Sequence, residues 1–296
     1  MSNNFILSCE STVDLPFSYM NERNIPVMFY SYLIDGKEYP DDMLRNPDAL
    51  PKFYQQLSDG KMPTTTQLSE FQYTEFFEKR LQYNDLLHIT LGTGMTQSYQ
   101  NALRAAECLR KKYPMRKLLI VDSLCSSSGY GMIVDYAADM RDQGYSINEV
   151  ENWLVHNRKR IHHQFFSTEL EHYRRSGRMS GATATIATIL GICPIMRLND
   201  EGRIIAYGKV RGKLHAIKET VNAMEQHAEN GLQYSGKCFV CHSNCPQEAE
   251  KTKLAITERF PNIKNIRVCD IGTIIASHCG PGTVAVFFMG DERIPQ

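Results

Sequence analysis

The feature that most constrains this chain is a unit that recurs through its first half: a short apolar run, a polar loop, then an amphipathic stretch. Phe5 to Ser8 is apolar and ends at Cys9-Glu10-Ser11-Thr12, followed by Asp14-Leu15-Pro16. Leu86 to Leu91 leads through a Gly/Thr loop into a helical segment over Tyr99 to Lys112. Leu118 to Val121 ends at Asp122-Ser123, then a Ser-rich loop and a helical stretch over Gly131 to Arg141. Strands that alternate with helices in this way pair in parallel through crossover connections. The loops at the C-terminal ends of such strands are where a ligand is expected.

Other segments fill in the architecture. Ile34-Asp35-Gly36-Lys37-Glu38-Tyr39 reads as a hairpin turning on Asp-Gly. Ser69 is a candidate N-cap for a helix beginning near Phe71, and Ile147 to Arg160 reads as a long helix carrying Trp153. After this the pattern changes. Gly181 to Met196 reads as a buried helix running into a strand, and Asn199-Asp200-Glu201-Gly202 turns between strands over Ile195 to Leu198 and Arg203 to Lys209. Cys238 to His242 reads as a strand and Gln247 to Arg259 as a helix. Ile271 to Ser277 and Thr283 to Phe288 flank a Gly-Pro-Gly turn and read as antiparallel strands. The expected fold is α/β in two domains: an N-terminal parallel-sheet domain over residues 1–160 and a C-terminal α+β domain over residues 161–296.

Composition narrows the partners. Acidic and basic residues balance at 33 each, so no global field favours nucleic acid or a membrane surface. No apolar run is long enough to span a bilayer, and the N-terminus lacks the basic region of a signal peptide. The nine cysteines are scattered, with Cys193, Cys238 and Cys269 inside apolar runs. That usage suits reduced core thiols and a cytoplasmic location.

The polar residues offer several chemistries. Thr64-Thr65-Thr66 and Gly92-Thr93-Gly94-Met95-Thr96-Gln97-Ser98 each gather hydroxyls before a helix, as an anion cradle or as turn and capping chemistry. Neither a dinucleotide fingerprint nor a Walker-type Gly-Lys-Ser/Thr is present. His278, at the end of an expected strand, suits recognition of a carboxylate or phosphate, or else fills a core position. On that strand Cys279 would face away from it, which argues against a Cys/His nucleophile. Alternation puts Lys209 and Arg211 on one face, either as a carboxylate-binding pair or as a solvated edge. Cys238-x-x-Cys241-His242-x-x-Cys245 is half of a zinc pattern without its second pair. Arg158-Lys159-Arg160 with Arg174, Arg175 and Arg178 form either a contact for an acidic partner or solvated helix faces.

Taken in order along the chain, these motifs resemble those of the DegV family, whose characterised members include the fatty-acid-binding subunits of bacterial fatty acid kinase. Glu10-Ser11-Thr12-Val13-Asp14-Leu15-Pro16 is similar to the family's acidic-Ser-Thr-x-Asp-Leu-Pro opening. Tyr32 to Tyr39, Thr65-Thr66-Gln67-Leu68-Ser69, Met95 to Gln100, Val121-Asp122-Ser123 with Ser128 to Gly131, Leu170 to Ser180, Lys209-Val210-Arg211 and His278-x-Gly280-Pro281-Gly282 resemble its later blocks. Gln97 stands where the family has glycine, Leu68 where it has proline, and Ser176 where it has the first glycine of Gly-Gly-Arg.

The resemblance implies one bound fatty acid, its tail in an apolar tunnel of the second domain and its carboxylate near the domain junction. Thr65, Thr96, Arg211 and His278 are the implied carboxylate ligands, with Thr66, Thr93 and Gln97 beside them. The small apolar segment Ala182 to Ile195 and the strands around Ile274 and Val286 are the expected tunnel lining. The implied role is non-enzymatic: a lipid carrier that presents the carboxylate to a separate ATP-dependent kinase subunit for phosphorylation to an acyl phosphate, a step of phospholipid synthesis. No catalytic residue, metal, cofactor, nucleic-acid partner or membrane insertion is expected. Two alternatives are an acyl-processing enzyme using His278 with Thr96 or Ser98, and a lipid-sensing regulator whose contact is the basic 158–178 region.

Overall fold

A computed structural model describes residues 5–179 and 191–295 of the chain. The N-terminal half runs β1 (Phe5–Glu10), α1 (Phe17–Glu22), β2 (Val27–Met28), β3 (Ser31–Ile34), β4 (Lys37–Pro40), α2 (Ala49–Ser58), β5 (Thr64–Thr65), α3 (Glu70–Leu81), β6 (Asp85–Thr90), α4 (Ser98–Lys112), β7 (Leu118–Asp122), α5 (Ser127–Asp142) and α6 (Ile147–Asn157). It continues with β8 (Ile161–Ser167), α7 (Glu171–Ser176), β9 (Ile192–Leu198), β10 (Ile204–Arg211), α8 (Lys213–His227), β11 (Cys238–His242), α9 (Pro246–Arg259), β12 (Ile266–Asp270), α10 (Thr273–Cys279) and β13 (Thr283–Met289).

The apolar runs β1, β6 and β7 form a parallel sheet in the order β2-β1-β6-β7. Leu7, Leu86, Leu87 and Ile89 are buried within it, as expected of strands covered on both faces by crossover helices. A small antiparallel sheet, β4-β3-β5, hangs from this unit. Its hairpin turns on Asp35 and Gly36, both at positive φ (51° and 78°), which is why Asp-Gly serves there. Ser69 caps α3 in a reciprocal box with Gln72.

The later sheet is mixed, in the order β10-β9-β8-β13-β11-β12, with only the β11/β12 pair parallel. Helices α5 and α6 and the turn Arg158–Arg160 carry the chain between the sheets. The basic residues of that turn are stitches: Arg158 Nη1 donates to the Asp122 carbonyl at 2.9 Å, and Arg160 pairs with Glu229 at 2.8 Å. One continuous set of buried apolar side chains underlies both sheets.

One sequence expectation is corrected. Ile271 to Ser277 is not a strand; Thr273–Cys279 is the helix α10, so no hairpin turns at Gly-Pro-Gly. A short apolar run is ambiguous between strand and helix by periodicity alone. The burial decides: Gly272, Ile275 and His278 are the less buried positions, three residues apart, and the Ser277 hydroxyl bonds the Thr273 carbonyl at 2.7 Å. The helix expected within Gly181 to Met196, and the part of the expected tunnel lining from Ala182 to Leu190, lie outside the described residues. The strand into which that segment runs is β9.

Candidate ligand-binding site

A cleft whose empty space, open solvent at its mouth included, is about 910 Å³ lies between the later sheet and the loops of the earlier one. Alternation along β13 aims Thr283, Ala285 and Phe287 into it, and Phe165 of β8 and Cys241 of β11 continue the same face. Ile274, Ile275 and His278 of α10 close one wall, with Leu198 and Ile204 at the turn between β9 and β10. Val286 points to the other face and is fully buried in the core.

The lining is mainly apolar, with Ser126, Ser127, His163 and Thr283 among its polar members and a denser polar group around Thr65, Thr96, Arg178 and His278. Thr65 and Thr66 arrive there because β5 pairs with β3, Tyr32 opposite Thr65, and the Thr66 N–H donates to the Ser31 carbonyl at 3.0 Å. Thr65 Oγ1 then lies 2.9 Å from His278 Nε2, a bond that joins the first third of the chain to its last. Thr96 also lines the cavity, its Oγ1 3.0 Å from Ser98 Oγ. Tyr30 stands behind, its phenol donating to Glu10 Oε2 at 3.2 Å.

Arg178 is the cation of this group. It follows α7, lines the cavity and bonds the Ser176 carbonyl. Burial lowers its pKa from the usual arginine value. Burial first, then the Arg178 charge, pushes His278 down to about 4, so the ring is neutral near pH 7. Among the described residues no carboxylate bonds His278; its ring partner is Thr65. Cys279 also lines the cavity, but burial pushes its thiol up to about 12. A protonated thiol is a poor nucleophile, so the Cys/His idea fails through desolvation; the strand geometry first held against it does not apply to a helix.

The structure thus brings together Thr65, Thr66, Thr96 and His278 and leaves three sequence candidates elsewhere. Thr93 spends its N–H and hydroxyl on Asp122, at 3.1 and 2.7 Å. The loop is held in this position because Gly94 packs on Gly202, where a Cβ would come within 2.2 Å of the carbonyl oxygen. Gln97 is exposed. Arg211 is exposed at the end of β10 opposite Ile192, and it is not among the described residues lining the cavity. Arg178 was placed by sequence only in a basic surface, although it lies in the Leu170 to Ser180 block; a lone arginine after a glycine carries no signal of facing inward. The Cys238/Cys241 pair is buried in β11, with both thiols pushed up by burial.

Comparison with known proteins gives this arrangement its relatives. A family profile described as "Uncharacterised protein, DegV family" matches residues 7–291. A DegV domain-containing protein of Clostridium perfringens is 33% identical over 293 residues, covering 98% of this chain and 99% of the relative. The chain belongs to the DegV family. A solved DegV family structure from Thermus thermophilus, described as showing fatty acid binding, superposes with a TM-score of 0.85 at 25% identity, covering 97% of this chain and 99% of that one. A stearic acid-binding protein from Eubacterium ventriosum shares the fold at a TM-score of 0.87 and 18% identity, covering 97% of this chain and 98% of that one. Among the described residues of this DegV chain no helix is long and apolar enough to cross a membrane.

Proposed function

We propose that this DegV protein binds one long-chain fatty acid, its tail along the apolar cavity and its carboxylate at Thr65, Thr96, Arg178 and His278. The observation that carries the reading is the make-up of the cavity: mainly apolar along Phe165, Ala285, Phe287, Ile274 and Ile275, with two threonine hydroxyls, an imidazole and a guanidinium gathered at Thr65, Thr96, His278 and Arg178. A carboxylate taken out of water must be hydrogen-bonded and charge-compensated, and those groups supply both. At about 0.8 kcal/mol per buried CH₂, a tail of about fifteen methylenes contributes roughly 12 kcal/mol before ordering costs. The Thermus thermophilus relative, described as binding fatty acid, supports the ligand class.

In this reading residues 1–160 and 161–296 are two domains, with the Thr65–His278 bond one of several contacts between them. The protein works in the cytoplasm as a carrier, without chemistry of its own, and presents the carboxylate to a separate kinase subunit that supplies ATP. The acyl-processing alternative pairs His278 with Thr96 or Ser98, whereas the ring meets Thr65 and Ser98 is fully buried.

Denaturing extraction and mass spectrometry of the purified protein tests the ligand: about one equivalent of a fatty acid is expected. A protein that carries none, and takes up none from oleate or palmitate, defeats the proposal. The carrier role is tested by capture of an ATP-dependent acyl-phosphate-forming partner from extract. Steady hydrolysis of acyl esters by the pure chain would move it to the enzymes.

A further inference from the structure

We propose that His162, His227 and Asp291 form a binding site for a divalent transition-metal ion, Zn²⁺ by its ligand chemistry, separate from the lipid cavity. One ligand atom from each of the three lies within 4.8 Å of the others. His162 Nε2 stands 2.8 Å from Asp291 Oδ1, and His227 Nδ1 stands 3.2 Å from Asp291 Oδ2. Zinc bonds of about 2.0–2.2 Å in a tetrahedron put neighbouring ligands roughly 3.3 Å apart, close to the His227–Asp291 edge and longer than the His162–Asp291 one, which is of hydrogen-bond length without the ion. The Asp291 backbone carbonyl oxygen, 3.0 Å from His162 Nε2, lies on the same side.

The cluster is assembled by the backbone of the C-terminal segment. His162 comes from β8 and His227 ends α8. The Glu229 N–H donates to the Met289 carbonyl and the Asp291 N–H to the His227 carbonyl, both at 3.1 Å, which clips the segment along the end of α8. Gly290 permits this close passage: a Cβ there would come within 2.1 Å of the His227 carbonyl oxygen and 2.9 Å of the His162 ring. The His162 ring is nearly parallel to the His227 ring (4.9 Å between centroids) and to the Phe288 ring (5.1 Å), and its Nε2 meets Asp291. The Asp291 side chain is 60% exposed, leaving a side open for water as a further ligand. Arginines stand nearby: Arg197 and Arg293 line the same small cleft as His162 and His227. Arg160 is paired with Glu229, and Arg293 donates to the carbonyls of Ile161 and Leu124.

Two imidazoles and a carboxylate are borderline ligands of the kind zinc takes. A bound ion would crosslink β8, α8 and the C-terminal segment, which are apart in the unfolded chain. Binding would therefore raise the melting temperature.

The test uses the full chain, stripped with a chelator and dialysed against ZnCl₂, then against CoCl₂ for spectroscopy. One equivalent of Zn²⁺ is expected, with Co²⁺ giving d–d bands and no thiolate charge-transfer band. H227Q and D291N should each weaken binding at least tenfold and abolish the zinc-dependent rise in Tm. Both positions are at least partly exposed, and the metal-free Tm of each variant reports its folding. The exposed thiol of Cys108 is the competing ligand, and C108S should bind as the wild type does. Absence of binding, unchanged binding in D291N, loss in C108S or a thiolate band would each overturn the site. None of these outcomes bears on fatty-acid uptake, because none of the three residues lines the lipid cavity.

Discussion

Tyr30 stands between two regions that treat a carboxylate in opposite ways. On one side is Glu10, fully buried at the end of β1. Its oxygens accept from the hydroxyls of Tyr73 and Tyr30 and from the Leu91 N–H at 2.8 Å, while its own N–H donates to the Tyr130 hydroxyl. On the other side is the polar end of the cavity, which Tyr30 also lines. There the hydroxyls bond one another or an imidazole: Thr96 to Ser98, Thr65 to His278. The first region is a carboxylate surrounded by committed donors and serves the fold. The second is a set of donors whose partners are exchangeable, beside a guanidinium, which suits a carboxylate brought from outside. In the proposed reading the same residue chemistry is structural in one place and recognitive in the other.

The largest expected effect tests the structural half of that contrast. Glu10→Ala leaves two tyrosine hydroxyls and a backbone N–H without their acceptor in a dry interior, at a cost of about 3–5 kcal/mol of folding stability. Urea denaturation measures this. A loss below about 1 kcal/mol would mean that Glu10 is dispensable and the contrast false.

Protonation gives the next largest effect. His278 is held near 4 against an ordinary value of 6.5, so the unfolded chain takes up the proton first. Stability from this group is complete above pH 6.5, falls as the pH drops, and is lost by about pH 4. The difference is about 3 kcal/mol. His162 is also held near 4, so the wild-type curve is steeper than His278 alone would make it. The difference between wild type and His278→Gln isolates the effect. A bound carboxylate stabilises the imidazolium, so the loss should shrink in lipid-loaded protein and stay unchanged if the ligand end lies elsewhere.

Much of this was legible from local chemistry. Parallel pairing followed from apolar runs followed by polar loops, the hairpin from Asp35-Gly36, and the cap of α3 from Ser69 with Gln72. Thr65, Thr66, Thr96 and His278 were gathered from motif order, and the structure puts them around one cavity. Helix α10 was not legible, because seven mostly apolar residues fit either period until their packing partners are known. Nor was the direction of an arginine. Arg211 sits in a basic strand end that reads as a ligand pair, yet alternation puts it on the solvent side of an edge strand. Arg178 follows a positive-φ glycine, Gly177, that turns the chain out of α7 and brings the guanidinium to the cavity.

That difference makes the third prediction. Arg178→Met should weaken oleate binding by about 2 kcal/mol, some thirtyfold, through loss of a charge-assisted partner. Arg211→Met should change it less than threefold. Displacement of a fluorescent fatty acid reads both, and the reverse ranking would restore Arg211 as the carboxylate's cation.

The smallest effect is the most specific. Thr65→Val keeps the side-chain volume and removes one hydroxyl, so it should cost about 1 kcal/mol of oleate affinity, roughly fivefold. It also deprives His278 Nε2 of its partner, so the imidazole's pKa should change in lipid-free protein, which NMR titration of the ring detects. Thr65→Ser keeps the hydroxyl and should recover both properties. If the serine variant fails like the valine variant, the missing methyl is responsible, and Thr65 acts by packing in β5 and not by donating to a carboxylate. If valine leaves affinity unchanged while the ring still shifts, the Thr65–His278 bond belongs with Glu10 as a structural contact. The ligand end would then have to be rebuilt around Thr96 and Arg178.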